Sequence, residues 1–193
     1  MSIGPTLRRQ QRKFPGTNIL AKTEHVTPAS TANRVRLFAR LAELGITTTT
    51  VEHEPMFTVE QLQALRGDLP GAHTKNLFLT DKDGHVVLVV AKDDTRVDLK
   101  RLASRLKFGR FSFGNAELLA EVLRVAPGSV TPFALLNDTK TRVTVVMDAA
   151  LTSFAEINCH PMENTATTRV ATEDMLRFIR ACGHEPLVLA LSC

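Results

Sequence analysis

Lys75-Asn76-Leu77-Phe78-Leu79-Thr80-Asp81-Lys82-Asp83-Gly84-His85-Val86-Val87-Leu88-Val89-Val90-Ala91 sets two apolar runs on either side of a short polar turn that ends in glycine. Branched and aromatic side chains favour extended backbone, and Asp-x-Asp-Gly is turn chemistry, so the stretch predicts strands over 75–80 and 85–91 joined as a hairpin. Working outward, Thr47–Val51, Phe133–Leu136, Val143–Met147, Phe154–Asn158 and Leu187–Leu191 also read as strands. Helical spacing appears in Asn33–Leu44, where Val35, Phe38, Leu41 and Leu44 share a face and Gly45 closes the end. Thr58-x-x-Gln61 resembles a capping box opening a helix to Arg66. Asp98–Lys107, Asn115–Leu123 and Glu173–Cys182 read as further helices, the last stopped by Gly183. Strands interleaved with short helices, with no internal repeat, imply an α/β domain around a mixed sheet.

Size and composition bound this reading. A chain of 193 residues with 44% hydrophobic content is long enough for one real core and short for two. No apolar run approaches the ~20 residues of a membrane span, and no hydrophobic stretch follows the basic N-terminus, so a soluble, cytoplasmic protein is expected. Cys159, Cys182 and Cys193 are odd in number and lack C-x-x-C spacing, which fits a reduced compartment. Residues 1–30 carry five basic residues against Glu24 alone, and the remaining 19 basic and 19 acidic residues balance. That segment, poor in apolar periodicity, reads as a basic disordered arm before a folded domain over 31–193. The absence of Trp and Tyr removes two favoured base-stacking platforms, although ten Phe remain.

Two segments interrupt the apolar pattern with binding-loop chemistry. In Gly128-Ser129-Val130-Thr131-Pro132, with Pro127 before it, prolines fix the bend while glycine lets a ligand approach the backbone N–H groups. Such a nest can hold an anion or a forming oxyanion. Ser129 and Thr131 sit in no G-x-S-x-G elbow, so neither is read as a nucleophile. The second segment is Cys159-His160-Pro161-Met162-Glu163-Asn164-Thr165, where Pro161 forces His160 to be extended. Adjacent strand residues point to opposite faces, so Cys159 and His160 cannot form a thiol–imidazole pair, and Lys75 and Asn76 diverge likewise. Asn164, Thr165, Thr167 and Thr168 alternate as a sheet edge or a polar pocket wall would. No His, Cys, Asp or Glu cluster has metal spacing, and no metal or cofactor is expected.

The Thr74–Leu79 strand, the Gly-x-x-x-Pro loop and the His-Pro-Met-Glu-Asn-Thr segment, in that order, resemble the YbaK family of prolyl-tRNA-synthetase-associated editing domains, in its freestanding ProX (PrdX) branch. The similarity runs from about Ala32 to the C-terminus. It implies a single compact domain with a mixed, mostly antiparallel, barrel-like sheet and helices outside. It implies hydrolysis of the ester on mischarged tRNA, foremost alanine on tRNA for proline. The implied partners are the tRNA acceptor end and, as a second candidate, prolyl-tRNA synthetase. Lys75, Gly128 and His160 fall at catalytic positions, His160 through either its side chain or its backbone. Asn76, Ser129, Val130, Thr131, Pro132 and Asn164 fall at substrate-binding ones. The alternatives are a cysteine-specific deacylase of the same family and a non-catalytic nucleic-acid-binding module using the basic arm.

Overall fold

The hairpin forms as the sequence predicts and lies at the middle of the sheet. The computed structural model describes residues 28–54 and 69–192. In chain order its elements are α1 (Pro28–Glu43), β1 (Thr48–Glu52), β2 (Ala72–Thr80), β3 (Val86–Lys92), α2 (Leu99–Leu106), β4 (Ser112–Phe113) and α3 (Ala116–Leu123). A 3-10 helix (Pro132–Asn137), β5 (Val143–Asp148), a second 3-10 helix (Ala149–Ser153), β6 (Glu156–Cys159), β7 (Ala166–Ala171), α4 (Thr172–Ala181) and β8 (Leu187–Leu189) follow. The helix expected over Thr58–Arg66 and nearly all of the arm expected over 1–30 lie outside the described residues. No described helix is long and apolar enough to cross a membrane.

The eight-stranded sheet runs β1-β7-β6-β2-β3-β5-β8, with β4 on β2. Pairings β1–β7, β6–β7, β2–β3 and β2–β4 are antiparallel, and β2–β6, β3–β5 and β5–β8 are parallel. Central β3 is buried from Val86 to Ala91, which is why it reads as a continuous apolar run rather than an alternating one. The pleat sends Phe78, Leu88 and Val90 into a core with Leu37 and Leu41 of α1, Leu119 and Leu123 of α3, Phe133 and Phe178. The other face carries Leu79, Val87, Val89 and Ala91 against Leu102 and Ala103 of α2 and Phe111.

The run Phe133–Leu136 is not the strand its apolar content suggested. It is the 3-10 helix, because Thr131 accepts a hydrogen bond from Phe133 N and Pro132 occupies its first position. A short segment buried on every side carries no period that distinguishes helix from strand. Other elements shift at their ends: α1 begins at Pro28, β2 at Ala72, and β8 stops at Leu189.

The hairpin turn is anchored by Asp81, whose side chain is buried. Its carboxylate accepts from Asp83 N and His85 N at 3.0 Å, from Gly109 N at 2.8 Å and from His85 Nδ1 at 2.8 Å. His85 in turn stacks on Phe108 with ring centroids 4.1 Å apart, so the turn is tied to the segment after α2. Burial alone would raise the Asp81 pKa, but these four donors, the His85 ring first, outweigh it and bring it to about 2. The folded value lies below the unfolded ~3.9, so this stabilisation is present above about pH 4 and is lost as pH falls toward 2. Wild type should therefore melt above Asp81→Asn at neutral pH, with a gap that shrinks between pH 4 and 2. A pH-independent gap in thermal melts would show that the charge is not responsible.

Candidate active site

The pairing of β2 leaves a break in the sheet. Along one edge β2 pairs with β3 from Thr74 to Thr80. Along the other it pairs with β6 only through Ala72 and His73 and with β4 only through Leu79 and Thr80. Between these, Lys75, Asn76 and Leu77 have no strand partner on that side among the described residues. Gly71 is what lets β6 approach so closely, since a Cβ at its φ of +93° would lie 2.8 Å from Glu156 O.

The glycine-proline loop fills this break from one side. Asn76 Nδ2 donates to Val130 O at 2.9 Å, while Asn76 Oδ1 is buried and has no partner among the described residues. Gly128 is exposed with φ +86°, and among the described residues a Cβ there would meet Asn164 Nδ2 at 4.0 Å, so the two predicted loops lie beside each other. Ser129 N closes the turn on Ala126 O at 3.0 Å. No backbone carbonyl among the described residues takes the amide of Gly128 or of Val130. Ser129 and Thr131 are buried, and the Thr131 hydroxyl is used as the cap of the 3-10 helix, with Pro132 buried after it.

His160 enters from the end of β6. Ile157 and Cys159 point into the first core, so Asn158 and His160 point to the opposite face of the sheet. Ala72, which shares the core face, is level with Ile157, and Lys75 therefore lies on the same face as His160. Lys75 is half-buried in mid-strand opposite Ala91, not at the strand start that the sequence suggested. Its charge reaches Asp94, which is held below the usual carboxylate range first by Lys92 and in smaller part by Lys75.

His160 Nδ1 lies 3.0 Å from Ala166 O, a contact that needs a proton on Nδ1 and leaves Nε2 as the other nitrogen of the ring. Burial lowers its pKa, as does the charge of His53, against the smaller upward pull of the Ala166 carbonyl. Burial thus favours the neutral ring, in which Nε2 is the accepting nitrogen. His53 sits beside it, ring centroids 6.4 Å apart, with Nε2 held by Thr167 Oγ1 at 2.9 Å. Cys159, by contrast, has its thiol pushed up to about 12 by burial and is inert.

The loop that carries His160 and Asn164 is braced at its middle. Met162 has φ +66°, a strained value for a side chain, and is 2% exposed in the core. Next to it Glu163, 4% exposed, is paired with Arg34 of α1 at 2.5 Å, and Arg34 also binds Glu52 at the end of β1. His53, Arg34 and Glu163 escaped the sequence reading as site neighbours. Each depends on contacts across 100 or more residues, such as Arg34–Glu163 and His53–Thr167, which leave no local pattern.

This geometry offers backbone N–H donors at the break in β2, with an imidazole and a lysine on the other face of the sheet, groups of the kind that polarise a carbonyl and admit water. A family model described as the aminoacyl-tRNA editing domain matches residues 53–178. The prolyl-tRNA synthetase associated domain-containing protein 1 of Danio rerio is 42% identical over 152 residues, covering 78% of this chain and 83% of that one. The prolyl-tRNA editing protein ProX of Acetoanaerobium sticklandii is 35% identical over 149 residues, covering 77% and 91%. A solved structure of a proposed trans-editing enzyme for prolyl tRNA synthetase superposes with TM-score 0.63 at 20% identity, over 86% of this chain and 98% of that one. The chain belongs to the aminoacyl-tRNA editing domain family and is an aminoacyl-tRNA deacylase.

Proposed function

We propose that this protein acts in trans on mischarged tRNA for proline and hydrolyses the ester that joins alanine to it. The observation that carries this reading is the break along β2, where Asn76 holds the Val130 carbonyl and the open amides beside it face Asn164. Relatives named for prolyl-tRNA editing and for association with prolyl-tRNA synthetase supply the tRNA and the setting. The chemical need is clear, since a synthetase pocket sized for proline still admits smaller amino acids, each missing methylene costing only ~1–3 kcal/mol. A second pocket that admits a methyl group and excludes the pyrrolidine ring restores the discrimination.

In this reading the ester carbonyl lies against the amides of the Gly128–Val130 loop, which stabilise the oxyanion as water attacks. Lys75 anchors the polar substrate from the His160 side of the sheet, and His160 accepts through Nε2. The adjacent ribose hydroxyl activates the ester, so no protein nucleophile is required, consistent with the inert Cys159 thiol. Single-turnover hydrolysis of alanyl-, cysteinyl- and prolyl-tRNA for proline by the full chain tests the assignment. Alanine should be released fastest and proline spared; faster loss of cysteine would reassign the substrate, and equal loss of all three would remove the sieve.

A further inference from the structure

The balanced charge of the folded part conceals a segregation. From Arg96 to Arg110 six basic residues stand against one acid, Asp98. Arg96, Lys100, Arg101, Arg105, Lys107 and Arg110 are all exposed, and among the described residues none is paired with a carboxylate. Asp98 is committed to capping α2, accepting from Lys100 N and Arg101 N. Helical spacing buries Leu102 and Ala103 on the sheet and turns Lys100 and Arg101 outward, while the exposed Arg105 also donates to Ala190 O at 2.8 Å. Arg101 and Arg105, four residues apart, repel one another on the helix surface, a cost that a polyanion would relieve.

Next to this face a cleft of about 750 Å³ is lined by Leu99, Lys100, Ser104, Phe108 and Arg110, and Phe113 on β4 is 65% exposed. The surface also has the right place. Leu79, which packs with α2, shares its face of β2 with Lys75, four residues or roughly 13 Å along the strand. β4 itself forms one lip of the break. A ligand whose reacting end enters the break from the Lys75 face can extend across α2.

We propose that this basic face of α2 and the segment after it docks the phosphate backbone of the tRNA acceptor stem. The inference rests on the tRNA reading above and gives that substrate its second point of contact. Arginine-rich charge without carboxylate partners, beside an exposed ring and on the β2 face that carries Lys75, suits RNA better than an acidic protein or a lipid surface. The folded domain thus carries an electrostatic footprint of its own, independent of the arm.

The test is the full-length triple variant Lys100→Glu, Arg101→Glu, Lys107→Glu. The first two changes fall in the first turn of α2, where acidic residues favour a helix, so folding should survive and circular dichroism checks it. Binding of uncharged tRNA is measured from about 50 to about 200 mM salt. Single-turnover hydrolysis is measured on alanyl-tRNA and on 3′-alanyl-adenosine. The variant should bind tRNA at least about 10-fold more weakly at low salt. Its log–log salt slope should be shallower by about 2 to 3, the share of three phosphate contacts, with hydrolysis of the small ester unchanged. Unchanged tRNA affinity and slope would overturn the proposal, and so would loss of small-ester hydrolysis in a folded variant. Wild-type binding to anionic phosphatidylserine vesicles with no effect of the variant on tRNA would assign the face to membranes instead. If wild type hydrolyses neither ester, the functional reading fails while the tRNA-binding comparison still decides this one.

Discussion

Gly128→Val is expected to lower single-turnover deacylation about 10²–10³-fold, the usual loss when an oxyanion donor is displaced. Crowding by the described residues is not the cause, because among them a Cβ would meet the Asn164 amide alone, at 4.0 Å. The cause is the backbone, since φ +86° is open to glycine and closed to a β-branched residue. Valine must rotate the peptide, and the amides of Gly128 and Val130 turn with it. The loop is exposed at this point, so the stability loss should stay near the ~1–2 kcal/mol of a left-handed penalty. Single-turnover rates set beside thermal melts separate the two effects. A folded variant with full activity would make the loop an ordinary bend.

Lys75→Ala should reduce kcat/KM by about 10- to 150-fold, equivalent to the ~1.5–3 kcal/mol of a hydrogen bond to a charged group. Lys75 projects from the middle of β2, half-buried, on the face shared with His160, and no described carboxylate forms an ion pair with it. Its removal therefore withdraws a charge from that face of the sheet without orphaning a partner in the core, and the melting temperature should barely move. Lys75→Arg should restore little, because a broad planar fork does not replace a compact ammonium. Wild-type kinetics in the alanine variant would remove Lys75 from the site.

The two hairpin strands were legible because their signals are local: period, branched side chains and an Asp-Gly turn act within 17 residues. The divergence of Lys75 and Asn76 was legible too, since the pleat alone dictates it, and it explains why only Asn76 reaches the loop at Val130. The break in the sheet was not legible. It arises because β6 and β4, which are far apart in sequence, meet the same edge of β2 at its two ends, and pairing of that range leaves no periodic trace. His53 gains its place only when β1 joins β7 and sets it beside Thr167 and His160. The basic face of α2 was hidden for a different reason: a net charge summed over the domain averages away the segregation that matters to a polyanion.

Titration of isotopically labelled protein with a non-hydrolysable amide analogue of 3′-alanyl-adenosine, followed by amide NMR shifts, tests the central claim most directly. If the ester is held at the break in β2, the backbone amides of Gly128 and Val130 should move furthest downfield as the analogue saturates, with the Asn76 and Asn164 side-chain amides shifting beside them. Saturable binding that leaves Gly128 and Val130 unmoved would place the reaction elsewhere on the protein and contradict the account.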